Sequence, residues 1–165
     1  MGRGLFRGKY MDQKHDNARM IDASAIHLLH RAGQCAGDIF SSEVSADGLT
    51  PRQFAVLVTV SQHEGLSQTD LVERTGIDRS TLADIIRRML KKGLIARRRT
   101  REDARAYAVR LTDAGRSVLD AVQPAALSAD ERILAVLPSE KRDEFIECLS
   151  TIVSATGNVG NGIAR

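Results

Sequence analysis

The spacing of apolar residues along the chain predicts a protein built mainly from amphipathic helices. Between residues 21 and 44, apolar side chains recur every three or four positions, which is the period of a helix with one buried face. Thr50 and Pro51 then suit the N-cap and the first position of a second helix, and Gln53 has the spacing of a capping box. We expect this second helix to end near Gly65.

Two short helices with a tight connection are predicted next. Ser67 is a suitable N-cap for the first of them, and Gly76 suits its end. Asp78 suits the N-cap of the second, whose apolar residues fall on one face. The inward residues are Leu82, Ile85, Ile86, Met89 and Leu90. Two helices with so short a link form the helix-turn-helix pattern, in which the second helix enters the major groove of DNA.

A β-hairpin is predicted after Gly93. Residues 94–99 and 107–111 are short runs with the composition of strands, and the connection TREDARA is polar and charged. The period of a strand predicts that the second run alternates between two faces. One face would carry Tyr107, Val109 and Leu111, and the other Ala108 and Arg110.

Two helices are predicted after the hairpin. Thr112 and Asp113 cap a long one, and we expect Pro124 to kink or divide it, because proline removes a backbone donor and clashes with the preceding turn. Pro138 and Ser139 open a last helix with an apolar stripe along one side. The stripe consists of Phe145, Ile146, Leu149, Ile152 and Val153.

The basic residues of the chain are concentrated in one segment. Residues 79–116 contain twelve Lys/Arg and four Asp/Glu, a net charge of +8, whereas the other residues contain twelve and seventeen, a net charge of −5. Positive charge gathered on one helix and one hairpin is typical of a surface that contacts phosphate. The pattern therefore favours sequence-specific DNA binding over a charged face that only meets water.

The size and composition indicate one globular domain. The chain has 165 residues, of which 42% are hydrophobic and 27% charged. It has no apolar run long enough to cross a membrane and no secretory signal at its N-terminus, so we expect a cytoplasmic location. We predict a flexible arm over residues 1–20, a single domain over 21–156 and a loose tail over 157–165.

Candidate DNA contacts follow from these positions. The N-terminal part of a recognition helix reaches the base edges, so the candidates there are Arg79, Ser80, Thr81 and Asp84. Residues further along that helix would contact phosphates: Arg87, Arg88 and Lys91. The start of the supporting helix can donate to the DNA backbone through Ser67, Gln68 and Thr69. The hairpin contributes Arg99, Arg101, Asp103 and Arg105, and we expect Arg105 at its tip to enter the minor groove.

The run TGIDRSTLADIIRRMLKKGLIARRRTREDARAYAVRLTDAG resembles the winged helix-turn-helix core of the MarR family of bacterial transcription regulators. Ser80 and Thr81 match positions where that family reads bases, and Asp103 and Arg105 match its D-x-R wing motif. Other matches are structural: Gly93, Leu94, Leu111, Thr112 and Gly115. Glu102 stands where the family often has proline. The resemblance implies a mainly α fold with a small β-hairpin wing over about 50–112, and dimerisation helices over about 21–44 and 113–156.

A homodimer on a palindromic operator is the expected assembly, because one helix in one groove gives little specificity. The candidate dimer surfaces are the stripe over 145–153, part of the helix over 21–44, and Ile133, Leu134 and Leu137. The alternative is that these apolar residues form the core of a single chain.

A small anionic organic effector, such as an aromatic acid or its CoA thioester, is the partner that we expect to control DNA binding. The resemblance implies a pocket between the dimerisation helices and the DNA-binding part. Four polar residues share one face of the first helix, and two more come from the second: His27, His30, Arg31 and Gln34, with Arg52 and Phe54. These residues are equally compatible with a surface or interface that binds no ligand.

Other classes are less well supported by the sequence. No nucleophile–base motif or phosphate-binding glycine loop is recognisable, so we expect neither an enzyme nor a cofactor. Cys35 and Cys148 form no C-x-x-C motif and are interpreted as small buried residues. A metal-responsive regulator would need a third ligand beside His27 and His30, from Asp38, Glu43 or Cys148. A redox-responsive regulator and a non-specific, architectural DNA-binding protein also remain open.

Overall fold

The computed structural model of the chain describes residues 21–44, 48–63, 65–99 and 107–157. The described elements are α1 (Ala25–Glu43), α2 (Pro51–Gln62), α3 (Gln68–Thr75), α4 (Arg79–Lys91), β1 (Ile95–Arg99), β2 (Tyr107–Leu111), α5 (Asp113–Leu134) and α6 (Ser139–Thr156). The two strands form one antiparallel sheet, in which Ile95 pairs with Leu111 and Arg99 with Tyr107. The predicted fold class, mainly α with a small hairpin, is confirmed.

The chain divides into two compact units, Met1–Asp38 and Ile39–Arg165. Helix α1 begins in the first unit and ends in the second. The second unit holds the two strands, helices α2 to α6 and the hydrophobic core. No helix in the described part of the chain is long and apolar enough to cross a membrane.

Hydrogen bonds at the starts of α2 and α3 explain where these helices begin. The Thr50 hydroxyl accepts from the Gln53 N–H at 3.3 Å, and the Gln53 side chain accepts from the Thr50 N–H at 3.1 Å, which confirms the predicted capping box. Ser67 and Asp70 form a second box, with distances of 3.1 and 2.8 Å. The second box was not predicted, because its third helical residue is aspartate and not the usual glutamate or glutamine.

Side chains from α2, α3 and α4 form the centre of the core. The largest fully buried residues are Leu57, Leu71, Leu82, Ile86, Met89, Val56 and Val109. Four of the five inward residues predicted for α4 are buried, and Leu90 is half-buried. Burying a side chain of this kind stabilises the fold by about 1.5–3 kcal/mol, so the core fixes the face that α4 turns outward.

The predicted alternation of β2 is wrong at two residues. Tyr107 is 45% exposed, whereas Ala108 and Val109 are both buried. β2 packs against α2, α3 and α5 as well as β1, and the Val109 N–H donates to the Leu66 carbonyl at 2.9 Å. Since helices cover much of the strand, a simple division into an inner and an outer face does not hold.

Helix α5 is not divided at Pro124. The helix is continuous through this residue. Pro124 is exposed, whereas Val122 and Ala126 are buried on the opposite face of the helix. Packing of that face against the core compensates for the backbone hydrogen bond that proline cannot donate. Helix α2 is also shorter than predicted, since it ends at Gln62.

A network of short contacts connects the end of α4 to the start of α5. The Thr112 hydroxyl donates to the Gly93 carbonyl at 2.6 Å and accepts from the Gly115 N–H at 3.0 Å. The Thr112 N–H donates to the Leu94 carbonyl at 3.1 Å. A Cβ atom on Gly115 would lie 1.9 Å from that same carbonyl oxygen, so only glycine fits there.

Helix α6 has no buried residue. Within its predicted stripe, Ile146, Ile152 and Val153 are 47%, 43% and 67% exposed. Cys148 on α6 and Cys35 on α1 are both exposed, so their interpretation as buried residues is wrong. The helical period correctly predicted an apolar face on α6, of which Phe145 and Leu149 are half-buried and the other three residues are exposed.

Candidate nucleic-acid interface

The turn between α3 and α4 has the geometry of a helix-turn-helix. Gly76 ends α3 in the left-handed conformation, with φ 65° and ψ 7°, and its N–H donates to the Val72 carbonyl. Ile77 is 8% exposed and anchors the turn in the core. Asp78 then caps α4. The glycine allows the sharp change of direction, because a side chain at positive φ would be strained.

The outward face of α4 carries the predicted DNA-contacting residues. Leu82, Ile85, Ile86 and Met89 are buried, so the polar side chains of the helix point away from the core. Thr81 and Asp84 are half-buried, and the other predicted residues of this helix are exposed: Arg79, Ser80, Arg87, Arg88 and Lys91. The structure therefore brings all seven together on one helix.

Asp78 organises the start of α4. Its Oδ1 atom accepts from the Thr81 N–H at 2.9 Å and from the Ser80 hydroxyl at 2.7 Å. The side-chain hydrogen bond with Thr81, followed by that with Ser80, lowers the pKa of Asp78 below its usual range, and the positive charge of Arg52 lowers it further. Asp78 is therefore ionised at neutral pH and stabilises the positive end of the helix.

Asp84 lies between two arginines one turn later. Its Oδ2 atom is 2.7 Å from Nε of Arg88, and its Oδ1 atom pairs with Arg87. Both carboxylate oxygens therefore already accept from within α4, which leaves Asp84 less free to accept from cytosine than the sequence suggested. The side chains of Arg87 and Arg88 remain 78% and 67% exposed, so their other N–H groups can reach a phosphate.

The predicted residues of the supporting helix have different surroundings. The Ser67 hydroxyl caps α3, Gln68 is half-buried and Thr69 is exposed. Asp70 accepts hydrogen bonds from the side chain and the backbone of Ser67, and these lower its pKa. Thr69 is thus the residue of this group most available to a DNA backbone.

The two strands of the wing, β1 and β2, lie within the described residues, and the connection between them does not. Exposed Arg97 and Arg98 lie on β1 opposite Val109 and Ala108, and they add basic charge that the sequence analysis did not assign to the site. The run of three arginines in the sequence was the signal that could have identified them. The backbone of Arg99 belongs to β1. The other wing candidates lie outside the described residues: Arg101, Asp103 and Arg105.

The predicted effector-binding residues fall in both units. The four on α1 belong to the first unit, where His27 is half-buried and His30, Arg31 and Gln34 are exposed. In the second unit, Phe54 packs on Phe40 with ring centroids 5.5 Å apart. Arg52 is exposed, and its charge acts on Asp78 at the start of α4.

The cavities lined by described residues of the second unit include a groove and a smaller cavity. A groove of about 550 Å³ lies between the α3–α4 turn and the end of α6, where Val72, Ile77 and Val153 contribute to its lining. A smaller cavity of about 120 Å³ lies beside Arg110 and Arg116. Neither cavity contains a predicted effector-binding residue. No group of three possible metal ligands occurs within the described ranges, so His27 and His30 have no third ligand there.

Comparison with known proteins identifies the family. The family model described as "MarR family" matches residues 47–106, which include α2, α3, α4 and β1. The transcriptional regulator HosA of Escherichia coli O157:H7 is 31% identical over 106 residues, which are 64% of this chain and 78% of HosA. The chain belongs to the MarR family.

Two solved structures of similar fold concern the regulation of DNA binding and the binding of DNA. One is that of Bordetella bronchiseptica BpsR, described as showing how 6-hydroxynicotinic acid regulates DNA binding. It is 28% identical to this MarR-family chain, with a TM-score of 0.75 over 79% of this chain and 93% of BpsR. The other is the transcriptional repressor CouR bound to a 23-mer DNA duplex, 27% identical, with a TM-score of 0.75 over 81% of this chain and 95% of CouR.

Proposed function

We propose that this MarR-family protein is a homodimeric transcriptional repressor that binds a palindromic operator and is released by a small anionic organic effector. The observation that carries the proposal is the outward face of α4, where Ser80 and Thr81 stand at the N-terminal end and three basic residues follow. A helix with this distribution can place its first turn against base edges and its later turns against phosphates. The DNA-bound CouR structure supports this use of the fold.

A second copy of the chain is the proposed partner of α6. The exposed side chains of Ile146, Ile152 and Val153 form an apolar surface on a helix that has no buried residue in the single chain. An exposed apolar stripe of this length is costly in water and is typical of a protein–protein interface. Two-fold pairing would also give two copies of α4 for the two halves of a palindrome.

The proposed effector is an aromatic acid or its CoA thioester. Support comes from BpsR, which responds to 6-hydroxynicotinic acid, and from the basic and hydrogen-bonding residues His27, His30 and Arg31 on one face of α1. An effector can release DNA only if it binds more tightly to the conformation with low DNA affinity. The proposed site therefore has to differ between the free and the DNA-bound dimer.

The DNA-binding proposal is tested by titrating the protein, at fixed salt, against DNA from upstream of its own gene and against random duplex. We expect a preference of about 10³-fold or more for the upstream DNA. Equal binding to both, with a steep dependence on salt, would instead indicate the non-specific, architectural protein. Arg79→Ala should reduce discrimination at particular bases, whereas an equal loss on all sequences would argue against base reading by Arg79.

The effector proposal is tested with 6-hydroxynicotinic acid and benzoyl-CoA as probes on the operator complex. We expect one of them to weaken operator binding, and His30→Ala or Arg31→Ala to reduce that response while DNA affinity is nearly unchanged. Glu147→Ala, an exposed change on the side of α6 opposite the apolar stripe, is the control. Loss of DNA binding without a changed response would reject the assignment of these residues to an effector site.

A further inference from the structure

The Ser80 hydroxyl is held in one orientation by the protein. A serine hydroxyl has one hydrogen to donate and two lone pairs that can accept. In this structure the hydroxyl donates to Oδ1 of Asp78 at 2.7 Å, while the side chain remains exposed at the start of α4. The single hydrogen of Ser80 is therefore used inside the protein, and only lone pairs remain for a partner outside.

The Asp78 carboxylate is an ionised acceptor for that hydrogen at neutral pH. Its hydrogen bonds with Thr81 and Ser80, with the nearby charge of Arg52, lower its pKa, so it carries no proton at neutral pH. An ionised carboxylate can only accept, and hydrogen bonds to a charged partner are about twice as strong as neutral ones. Rotating the hydroxyl to donate outward would break this bond.

An outward acceptor distinguishes the bases of the major groove. Adenine presents the N6 amine and cytosine the N4 amine, both of which donate, whereas guanine O6 and thymine O4 accept. Phosphate oxygens also only accept, so Ser80 is poorly suited to the DNA backbone. We propose that Ser80 is a specificity-determining residue that binds the exocyclic amine of an adenine or cytosine, because Asp78 holds its only hydrogen.

This inference rests on the proposed DNA-binding function and makes it more specific. From the sequence alone a serine at this position is an unselective reader, since its hydroxyl can donate or accept. The hydrogen bond to Asp78 removes the first option. On the strand that Ser80 contacts, adenine and cytosine, which carry an amine, are preferred to guanine and thymine, which carry a carbonyl. With guanine or thymine, the Ser80 oxygen would face O6 or O4, and two acceptors would repel each other.

The test removes single amines from the operator. At each adenine or cytosine of one half-site, the base is replaced by purine or by 2-pyrimidinone, which lack the exocyclic amine, and binding of wild type and Ser80→Ala is measured. At one base we expect wild type to lose about fivefold in affinity and Ser80→Ala to lose nothing. Ser117→Ala, at an exposed serine of α5, should behave as wild type.

A second variant tests the role of Asp78. Asp78→Asn keeps a good N-cap residue but removes the charge that fixes the Ser80 hydrogen. We expect the preference for an amino base over a keto base at the Ser80 position to fall about threefold, while total DNA affinity does not fall. An unchanged preference would overturn the claim that Asp78 sets the orientation of the hydroxyl.

The outcomes separate this inference from the function on which it rests. If wild type binds the operator no better than random duplex, the proposed function fails and the inference falls with it. If wild type is selective but no amine deletion distinguishes it from Ser80→Ala, only the inference is overturned. The same holds if Ser80→Ala relaxes selection for guanine or thymine, because Ser80 would then be a donor.

Discussion

Helices α4 and α6 both present an unburied face, but the two faces differ in chemistry. On α4 the exposed side chains other than Ala83 are charged or hydroxyl-bearing, and half-buried Asp84 pairs with Arg87 and Arg88. On α6 the exposed side chains include isoleucine and valine, which cannot form hydrogen bonds with water. Exposure alone therefore does not define a site. The polar face of α4 is stable in water and available to DNA, whereas the apolar face of α6 gains stability only from a protein partner.

The largest effect is expected from placing charge on the α6 face. The double variant Ile146→Glu/Val153→Glu should be monomeric and should lose at least about 100-fold in operator affinity, because the two half-sites are then bound independently. Both side chains are largely exposed, so the single chain should still fold. Sedimentation equilibrium and operator titration measure the two effects.

The matched control for this variant is Thr151→Glu/Ser154→Glu, which adds the same charge to exposed residues on the other side of α6. It should remain dimeric and bind the operator normally. A dimer that survives the Ile146 and Val153 substitutions would show that this apolar face is not the interface.

A smaller effect is expected from removing charge on the α4 face. Arg87→Ala/Arg88→Ala should weaken binding to operator and to random duplex alike, by about tenfold at moderate salt, because phosphate contacts carry no sequence information. The slope of log affinity against log salt should decrease by about 3.6 for the dimer, or 0.9 for each of the four lost contacts. A loss confined to the operator would mean that these arginines read bases.

The smallest effect is expected at α3, which supports the α4 face. Ser67→Ala should reduce the free energy of unfolding by about 1 kcal/mol through loss of the N-cap. Because Ser67 lowers the pKa of Asp70 in the folded state, the ionised carboxylate favours folding. That contribution is complete above the ordinary aspartate pKa of about 3.9 and is lost as the pH falls through the lowered folded value.

Urea unfolding of wild type and Asp70→Asn at several pH values measures the Asp70 contribution. The difference in unfolding free energy should be constant between about pH 7 and 5 and should shrink below about pH 4. A difference that persists unchanged to pH 3 would contradict the assignment of the stabilisation to the Ser67–Asp70 pair.

The sequence predicted best what depends on neighbouring residues. The N-caps at Thr50, Ser67 and Asp78 and the stop at Gly76 were all identified correctly, since each cap is decided by a side chain and the backbone within a few positions. The outward face of α4 followed from the helical period for the same reason. These local features were enough to indicate the helix-turn-helix.

Features that depend on distant contacts were predicted less well. The burial of Ala108 depends on helices that are far from it in sequence, and the continuity of α5 through Pro124 depends on packing along the whole helix. The exposure of Cys148 reflects the absence of buried residues on α6, which the helical period cannot reveal. The spacing of Asp84, Arg87 and Arg88 allows ion pairs between them. It does not determine which side-chain rotamers are adopted, so the pairing could not be predicted from the sequence.

The contacts around Thr112 and Gly115 make the end of α4 and the start of α5 a single rigid joint. Helix α5 has 22 residues and is therefore about 33 Å long. Because its first turn is joined to the end of α4, a rotation of α5 about its other end displaces α4. A rotation of about 5° moves the joint by about 3 Å. That distance is close to the rise of about 3.4 Å between successive base pairs, so in the proposed DNA complex such a rotation would shift α4 by almost one base pair.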